Sequence, residues 1–262
     1  MLLALDLGNT NLVIGLMQGP EVVHTARLAT DRSQTSHGLL LQLRQLLDVF
    51  NVSAKDLTDG IISSVVPELT LQLAQAAEML IGHKVLIVGQ QGVGSGLQTD
   101  IDQPQTLGAD RIADAVGAIH QYDLPLMIVD MGTATTISVI DKRGHHIGGM
   151  IIPGARTSLT SLSQKASQLP HITIQAPEHL IGRNTVECMQ SGIVYGYASM
   201  IDGLIDRIEK DQQQPFTVVA TGGISQLVLP HCHHQIQLDP DLLLKGLHYI
   251  YSSFKSRSIE QS

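Results

Sequence analysis

Two stretches half a chain apart repeat one pattern. "LLALDLGNTN" ends an apolar run on Asp6 and continues with Gly8, Asn9, Thr10 and Asn11. "PLMIVDMGTATT" ends another on Asp130 and continues with Gly132, Thr133, Thr135 and Thr136. The spacing from 6 to 130 is close to half of the 262 residues. A carboxylate at the end of a buried strand is costly unless something uses it. Either stretch alone reads first as an ordinary hairpin with an Asx turn. The pair implies two homologous domains, each opening with the same hairpin and facing one cleft.

The intervening pattern agrees. Strands are expected at 2–7, 11–17 and 21–30, then a helix at 36–50 with a 3.6-residue apolar period. A strand at 60–66, a helix at 68–82 and a strand at 84–89 follow. Residues 89–106 are Gly-rich and read as loop, and 108–122 as a helix. The second half restarts with strands at 125–132, 133–141 and 145–154, then a long helix at about 184–210, a strand at 216–223 and a helix at 239–254. The expected fold is α/β, with two domains around a central cleft, each a mixed β-sheet flanked by helices. The boundaries are set at 1–118 and 119–255, with a tail at 256–262.

Composition removes several classes of function. A formal charge of −8 disfavours non-specific binding to nucleic acid or anionic membrane, which needs a basic face. The two cysteines, Cys188 and Cys232, form no CxxC pattern, which fits a reducing compartment. The apolar start meets Asp6 after five residues, too soon for a signal peptide, and no run approaches the ~20 residues of a membrane span. The expectation is a soluble cytoplasmic protein.

The hairpin residues suit phosphate chemistry. Gly8 and Gly132 lack Cβ, so a ligand can approach the backbone and its N–H groups. Thr10, Thr133 and Thr135 add hydroxyls, and "ATGG" places Gly222 and Gly223 where a nucleoside could lie against backbone. Asp6 and Asp130 would repel bare phosphate and make sense with a cation, because Mg²⁺ binds one or two carboxylates plus phosphates.

The order of these motifs resembles the superfamily of acetate and sugar kinases, heat-shock ATPases and actin, which implies that the two α/β domains are ribonuclease-H-like (actin-like). "DLGNTN", "ISSVVP", "GADRIADAVGA", "VDMGTATT", "GGMIIPG", "IGRNTVECMQSGIVYGY" and "VVATGG" together resemble type III pantothenate kinase, in that family's order and across nearly the whole chain. The resemblance implies ATP-dependent phosphorylation of pantothenate to 4′-phosphopantothenate, the first step of coenzyme A biosynthesis. It also implies Mg²⁺, a monovalent cation (K⁺ or NH₄⁺) and a homodimer. By resemblance Asp110 of GADR is the general base, Gly108, Ala109 and Arg111 line the pantothenate site, and Thr185 reaches it from the partner subunit. Asp130 holds the monovalent cation, Asp6 the Mg²⁺, and the hairpin residues from Asp6 to Asn11 bind ATP.

Asn184 reads as an N-cap with Glu187 as the reciprocal acid of a capping box. Free N–H groups around Thr185 would then favour an anion such as a substrate carboxylate. Gly192 and Gly196, one turn apart, allow close helix packing, either within a subunit or across a dimer interface. Ile101 stands where the family commonly has a tyrosine in the pantothenate pocket. "HCHH" (231–234) has no zinc-like second pair and reads as a surface loop. Another small-molecule kinase and a catalytically silent homologue are the competing readings; the intact set of Asp6, Asp110, Arg111 and Asp130 speaks against the latter.

Overall fold

The computed structural model describes residues 1–90, 93 and 96–260; residues 91, 92, 94 and 95 of the expected loop, and 261 and 262 of the expected tail, lie outside the described residues. The chain forms two compact units, one from Met1–Gln121 with the chain from Asp241, the other from Tyr122–Pro240.

Unit 1 opens with β1 (Leu2–Leu7), β2 (Asn11–Gln18) and β3 (Glu21–Ala29), an antiparallel meander. Helix α1 (Ser36–Phe50) starts where the Thr35 hydroxyl accepts from the Gly38 N–H at 3.1 Å, and it buries Leu39, Leu43 and Leu47 at four-residue spacing. Strand β4 (Asp59–Ser64) runs parallel to β1, and helix α2 (Pro67–Ile81) follows, opened by proline and closed by left-handed Gly82. The short strands β5 (Leu86–Ile87) and β6 (Gln98–Thr99) precede α3 (Ala109–Gln121). The sheet order is β3-β2-β1-β4-β5.

Alternation along β1 and β4 divides the core. Leu3, Leu5, Leu7 and Ile62 pack with α1 and α2, whereas Leu2, Ala4 and Ile61 pack with α3 and with the closing helix α7 (Leu242–Glu260). The division at 118/119 assigned this helix to the second half, with a tail from 256. Instead α7 belongs to unit 1 and continues to Glu260. A Cβ on Gly117 would lie 2.5 Å from the Leu242 carbonyl oxygen, and one on Gly246 2.6 Å from the Ala113 carbonyl carbon. Glycine at both points lets the two helices touch backbone to backbone. Tyr251 also donates to Asp59 at 2.6 Å, tying α7 to the start of β4.

Unit 2 repeats the plan with β7 (Leu126–Met131), β8 (Ala134–Ile140) and β9 (His145–Pro153) as an antiparallel meander. Helix α4 (Ala155–Lys165), long α5 (Thr185–Gln212), β10 (Thr217–Thr221), short α6 (Ser225–Val228) and β11 (Gln237–Leu238) follow. Its strands lie in the order β9-β8-β7-β10-β11, matching unit 1 position for position. Met127, Val129 and Met131 pack with Tyr197, Ala198, Ile201 and Ile205 of α5. The expected architecture, a mixed sheet flanked by helices in each half, is therefore present. Helix α4 was not foreseen, and β5 is shorter than the strand expected at 84–89. Among the described residues, no helix is long and apolar enough to cross a membrane.

Candidate active site

The first hairpin places half-buried Asp6 at the end of β1, with Asn9 and Thr10 exposed. Leu7 pairs with Leu12, leaving Gly8, Asn9, Thr10 and Asn11 as the turn. The Gly8 N–H donates to the Asn11 carbonyl at 2.9 Å, and the Thr30 hydroxyl donates to the Gly8 carbonyl at 2.7 Å. Arg32 donates to the Asn9 side chain at 3.0 Å and is itself paired with Glu68 at 2.8 Å. These supports, just past β3 and at the start of α2, hold the turn shape; the glycine-and-threonine motif did not reveal them.

GADR lies in the same unit. By alternation Asp6 points to the face of the sheet that α3 and α7 cover. Gly108 precedes α3, and a Cβ there would approach Val65 Cγ1, just past β4, at 3.7 Å. That Cβ would also collide with Asp110 Oδ1, so the carboxylate folds back over the glycine. Asp110 Oδ1 accepts from the Arg111 N–H at 2.7 Å in the first turn of α3, where a helix favours an anion. Arg111 is half-buried; burial pushes its acidity up, and neighbouring Asp110 and Asp114 partly oppose this. Ile101 is half-buried in the preceding loop.

In unit 2, Met131 pairs with Thr135, so the turn is Gly132, Thr133 and Ala134, one residue shorter than in unit 1. Thr133 is exposed and its carbonyl accepts from the Thr157 hydroxyl at 2.7 Å. Thr135, by contrast, is buried within β8. Gly222 has φ +89°, and a Cβ there would meet Asp130 Oδ1 at 2.5 Å and the Met131 carbonyl carbon at 2.6 Å. The chain itself thus requires this glycine, beside Asp130, apart from any nucleoside. Gly223 is exposed.

The IGRNT segment leads into α5. Asn184 caps it, its side chain accepting from the Glu187 N–H at 2.9 Å. Glu187 does not return the bond to Asn184, as a capping box would. Its carboxylate accepts from the Arg183 N–H at 2.7 Å, the His179 N–H at 3.1 Å and His179 Nδ1 at 2.7 Å. The Arg183 N–H and the His179 ring hold this carboxyl below the usual glutamate range. The reach exceeds one turn because residues 179–183 fold back along α5. Thr185 is exposed at the helix start, and Leu180, Ile181 and Val186 beside it are exposed apolar residues. Cβ atoms on Gly192 or Gly196 would meet nothing within 4 Å, so no part of the described chain packs on that face. The HCHH segment docks on α5 through Asp202, which accepts from the His233 and His234 N–H groups at 2.8 and 3.1 Å.

The carboxylates fit a hard cation by donor chemistry. Asp6 and Asp130 are half-buried oxygen donors at strand ends next to backbone turns, the type of ligand Mg²⁺ and K⁺ accept. Gly132 sits beside the Asp130 carboxylate, where an added Cβ would lie 3.5 Å from both oxygens.

A family model described as type III pantothenate kinase matches residues 2–207. The chain belongs to that family. A type III pantothenate kinase from Exiguobacterium sp. is 40% identical over 96% of this chain and 98% of its own. Among solved structures, the activator of 2-hydroxyisocaproyl-CoA dehydratase from Clostridium difficile, with bound ADPNP, is similar in fold. Its TM-score is 0.59 at 14% identity, over 98% of this chain and 97% of that one. Component A of (R)-2-hydroxyglutaryl-CoA dehydratase from Acidaminococcus fermentans has TM-score 0.57 at 16% identity, over 97% and 98%. These likenesses show a shared fold, two units that each carry a mixed sheet flanked by helices.

Proposed function

We propose that this protein transfers the γ-phosphoryl group of ATP to the hydroxyl of pantothenate, giving 4′-phosphopantothenate and ADP in the first step of coenzyme A biosynthesis. The observation that carries this reading is GADR at the start of α3, in a family member, in the same unit as the Asp6 hairpin and toward the same face of its sheet. Asp110 orients the pantothenate hydroxyl and accepts its proton as oxygen attacks the γ-phosphorus and the bond to ADP breaks. A weak base suffices, because phosphoryl transfer has a loose transition state and proton removal is late. Orientation is the larger contribution. Arg111, a half-buried cation beside Asp110, contacts substrate or phosphoryl oxygen, with Gly108, Ala109 and Ile101 lining the pantothenate site.

Backbone N–H groups and side chains of Gly8, Asn9, Thr10, Asn11, Gly132 and Thr133 bind ATP phosphates, Gly222 and Gly223 approach the nucleoside, and buried Thr135 supports the second turn from within β8. Asp6 holds Mg²⁺ and Asp130 a monovalent cation, K⁺ or NH₄⁺; when bound, these ions neutralise phosphate charge. The protein acts as a cytoplasmic homodimer. The bare glycine face of α5 and the exposed Leu180, Ile181 and Val186 support this, with Thr185 offered to the partner's site.

The test is a coupled assay of ADP release. ADP should form only when pantothenate, Mg²⁺ and K⁺ or NH₄⁺ are all present, and Asp110→Asn should lower turnover by ~10²-fold or more while ATP still binds. Turnover indifferent to pantothenate, or near-normal turnover in Asp110→Asn, would refute the reading.

A further inference from the structure

Ser63, the first serine of "ISSVV", is fully buried, and its hydroxyl has no hydrogen-bond partner among the described residues. Buried hydroxyls almost always find a partner, and one that does not is destabilising to keep. Its neighbour Ser64 shows the ordinary solution: that hydroxyl bonds Thr70 at 2.7 Å and accepts from the Val66 N–H at 3.1 Å. Strand register explains the difference. Ser63 lies on β4 directly beside Asp6 on parallel β1, and in-register residues of a parallel pair share a face. That face is the one covered by α3, whose first turn carries Asp110. Unit 2 repeats the arrangement, with buried Thr221 of β10 in register with Asp130 of β7. In both units a hydroxyl residue thus sits on the parallel neighbour strand beside the strand-end aspartate.

We propose that Ser63 is a positioning residue for the cation that Asp6 holds, its hydroxyl oxygen accepting from a water of the ion's hydration shell. This rests on the reading of Asp6 as the Mg²⁺ anchor. Mg²⁺ gives up its waters reluctantly, so a site with one carboxylate needs groups that hold those waters in place. Outer-shell partners of this kind typically change metal affinity 10–100-fold when removed. Ser63 meets the steric requirement: it is small, on a rigid strand, and satisfied by nothing else in the described chain.

The experiment uses the full chain and the non-hydrolysable analogue AMP-PNP, titrated calorimetrically with Mg²⁺ and again with EDTA. The ratio of the two dissociation constants measures the Mg²⁺ contribution without any turnover. Ser63→Ala and Ser63→Cys should each shrink that ratio by about tenfold. Their melting temperatures should equal or exceed that of the unsubstituted protein, since an unpartnered buried hydroxyl is lost. In an Asp6→Asn background, Ser63→Ala should shrink the ratio no further. An unchanged ratio in both Ser63 variants, a fall in melting temperature parallel to the loss, or a full additional loss in Asp6→Asn would each overturn the proposal. Because pantothenate is absent throughout, a failed pantothenate assay and a failed role for Ser63 are read separately.

Discussion

Gly246 on α7 is the point where a single methyl group should be felt at the end of α3 that carries Asp110, the proposed general base. An added Cβ would lie 2.6 Å from the Ala113 carbonyl carbon, closer still to its oxygen, and 3.1 Å from the Gly117 nitrogen. All three are backbone atoms of α3 and cannot rotate aside. Restoring ordinary carbon contact at about 3.5 Å requires the helices to part by roughly 1 Å. Overpacking of this kind costs up to about 3 kcal/mol, against which alanine gains ~1 kcal/mol over glycine in helix propensity. Gly246→Ala should therefore destabilise by about 2 kcal/mol, a fall in melting temperature of roughly 4–8 °C. Ala113 is one turn from Asp110, and a 1 Å misplacement of a catalytic group can cost ~10²-fold in rate. Thermal melting and the coupled ADP assay measure the two effects. If Gly246→Ala melts at or above the unsubstituted protein, as propensity alone would have it, the backbone contact between α3 and α7 is not as close as described.

Gly196→Ala makes the opposite case: with open space around it, the protomer should gain up to ~1 kcal/mol, while sedimentation should show loss of the proposed dimer. A stable dimer in this variant would place the interface elsewhere. Glu187 is held below its ordinary value of 4.5, so its contribution to stability is complete above that pH and is lost as pH falls through the lower folded value. The stability gap between the natural protein and Glu187→Gln should accordingly narrow in acid, and a constant gap in pH-dependent melts would contradict this. Tyr122 is pushed up to about 12 by burial and by Asp239, to which it donates at 3.0 Å. Its contribution is intact below its ordinary pKa of 10.0 and is lost as pH rises through the folded value. Urea titrations above pH 10 should show a shallower decline for Tyr122→Phe.

The repeated hairpins were legible because strand, carboxylate and glycine recur in one order, and both strand pairs follow that order. The family motifs likewise named Asp110 and Thr185 without geometry. Helix α4 was missed because "ARTSLTSLSQK" is dominated by hydroxyl residues and lacks a continuous apolar stripe. Periodicity showed that 239–254 is a helix but carries no information about which sheet it covers. The packing of Leu244, Leu247 and Ile250 with Leu2, Ala4 and Ile61, backed by the close contacts at Gly117 and Gly246, decides that. The acid at Glu187 had the spacing of a capping box, yet the preceding loop folds back and takes its oxygens. Ser63 and Ser64 are alike in sequence, and nothing short of strand register tells which one turns toward Asp6.

The return of α7 to unit 1 orders how the molecule is made. Leu244, Leu247 and Ile250 share a buried cluster with Leu2, Ala4 and Ile61, so residues from both ends of the described chain complete one core. On the ribosome, the strands of β1 to β4 emerge first but must wait for α7, while Tyr122–Pro240 has every strand of its own plan before α7 is made. The early half of the nascent chain therefore has only α3 on that face of its sheet, and the part that α7 covers stays open until α7 is made. That interval is when a chaperone would have most to bind.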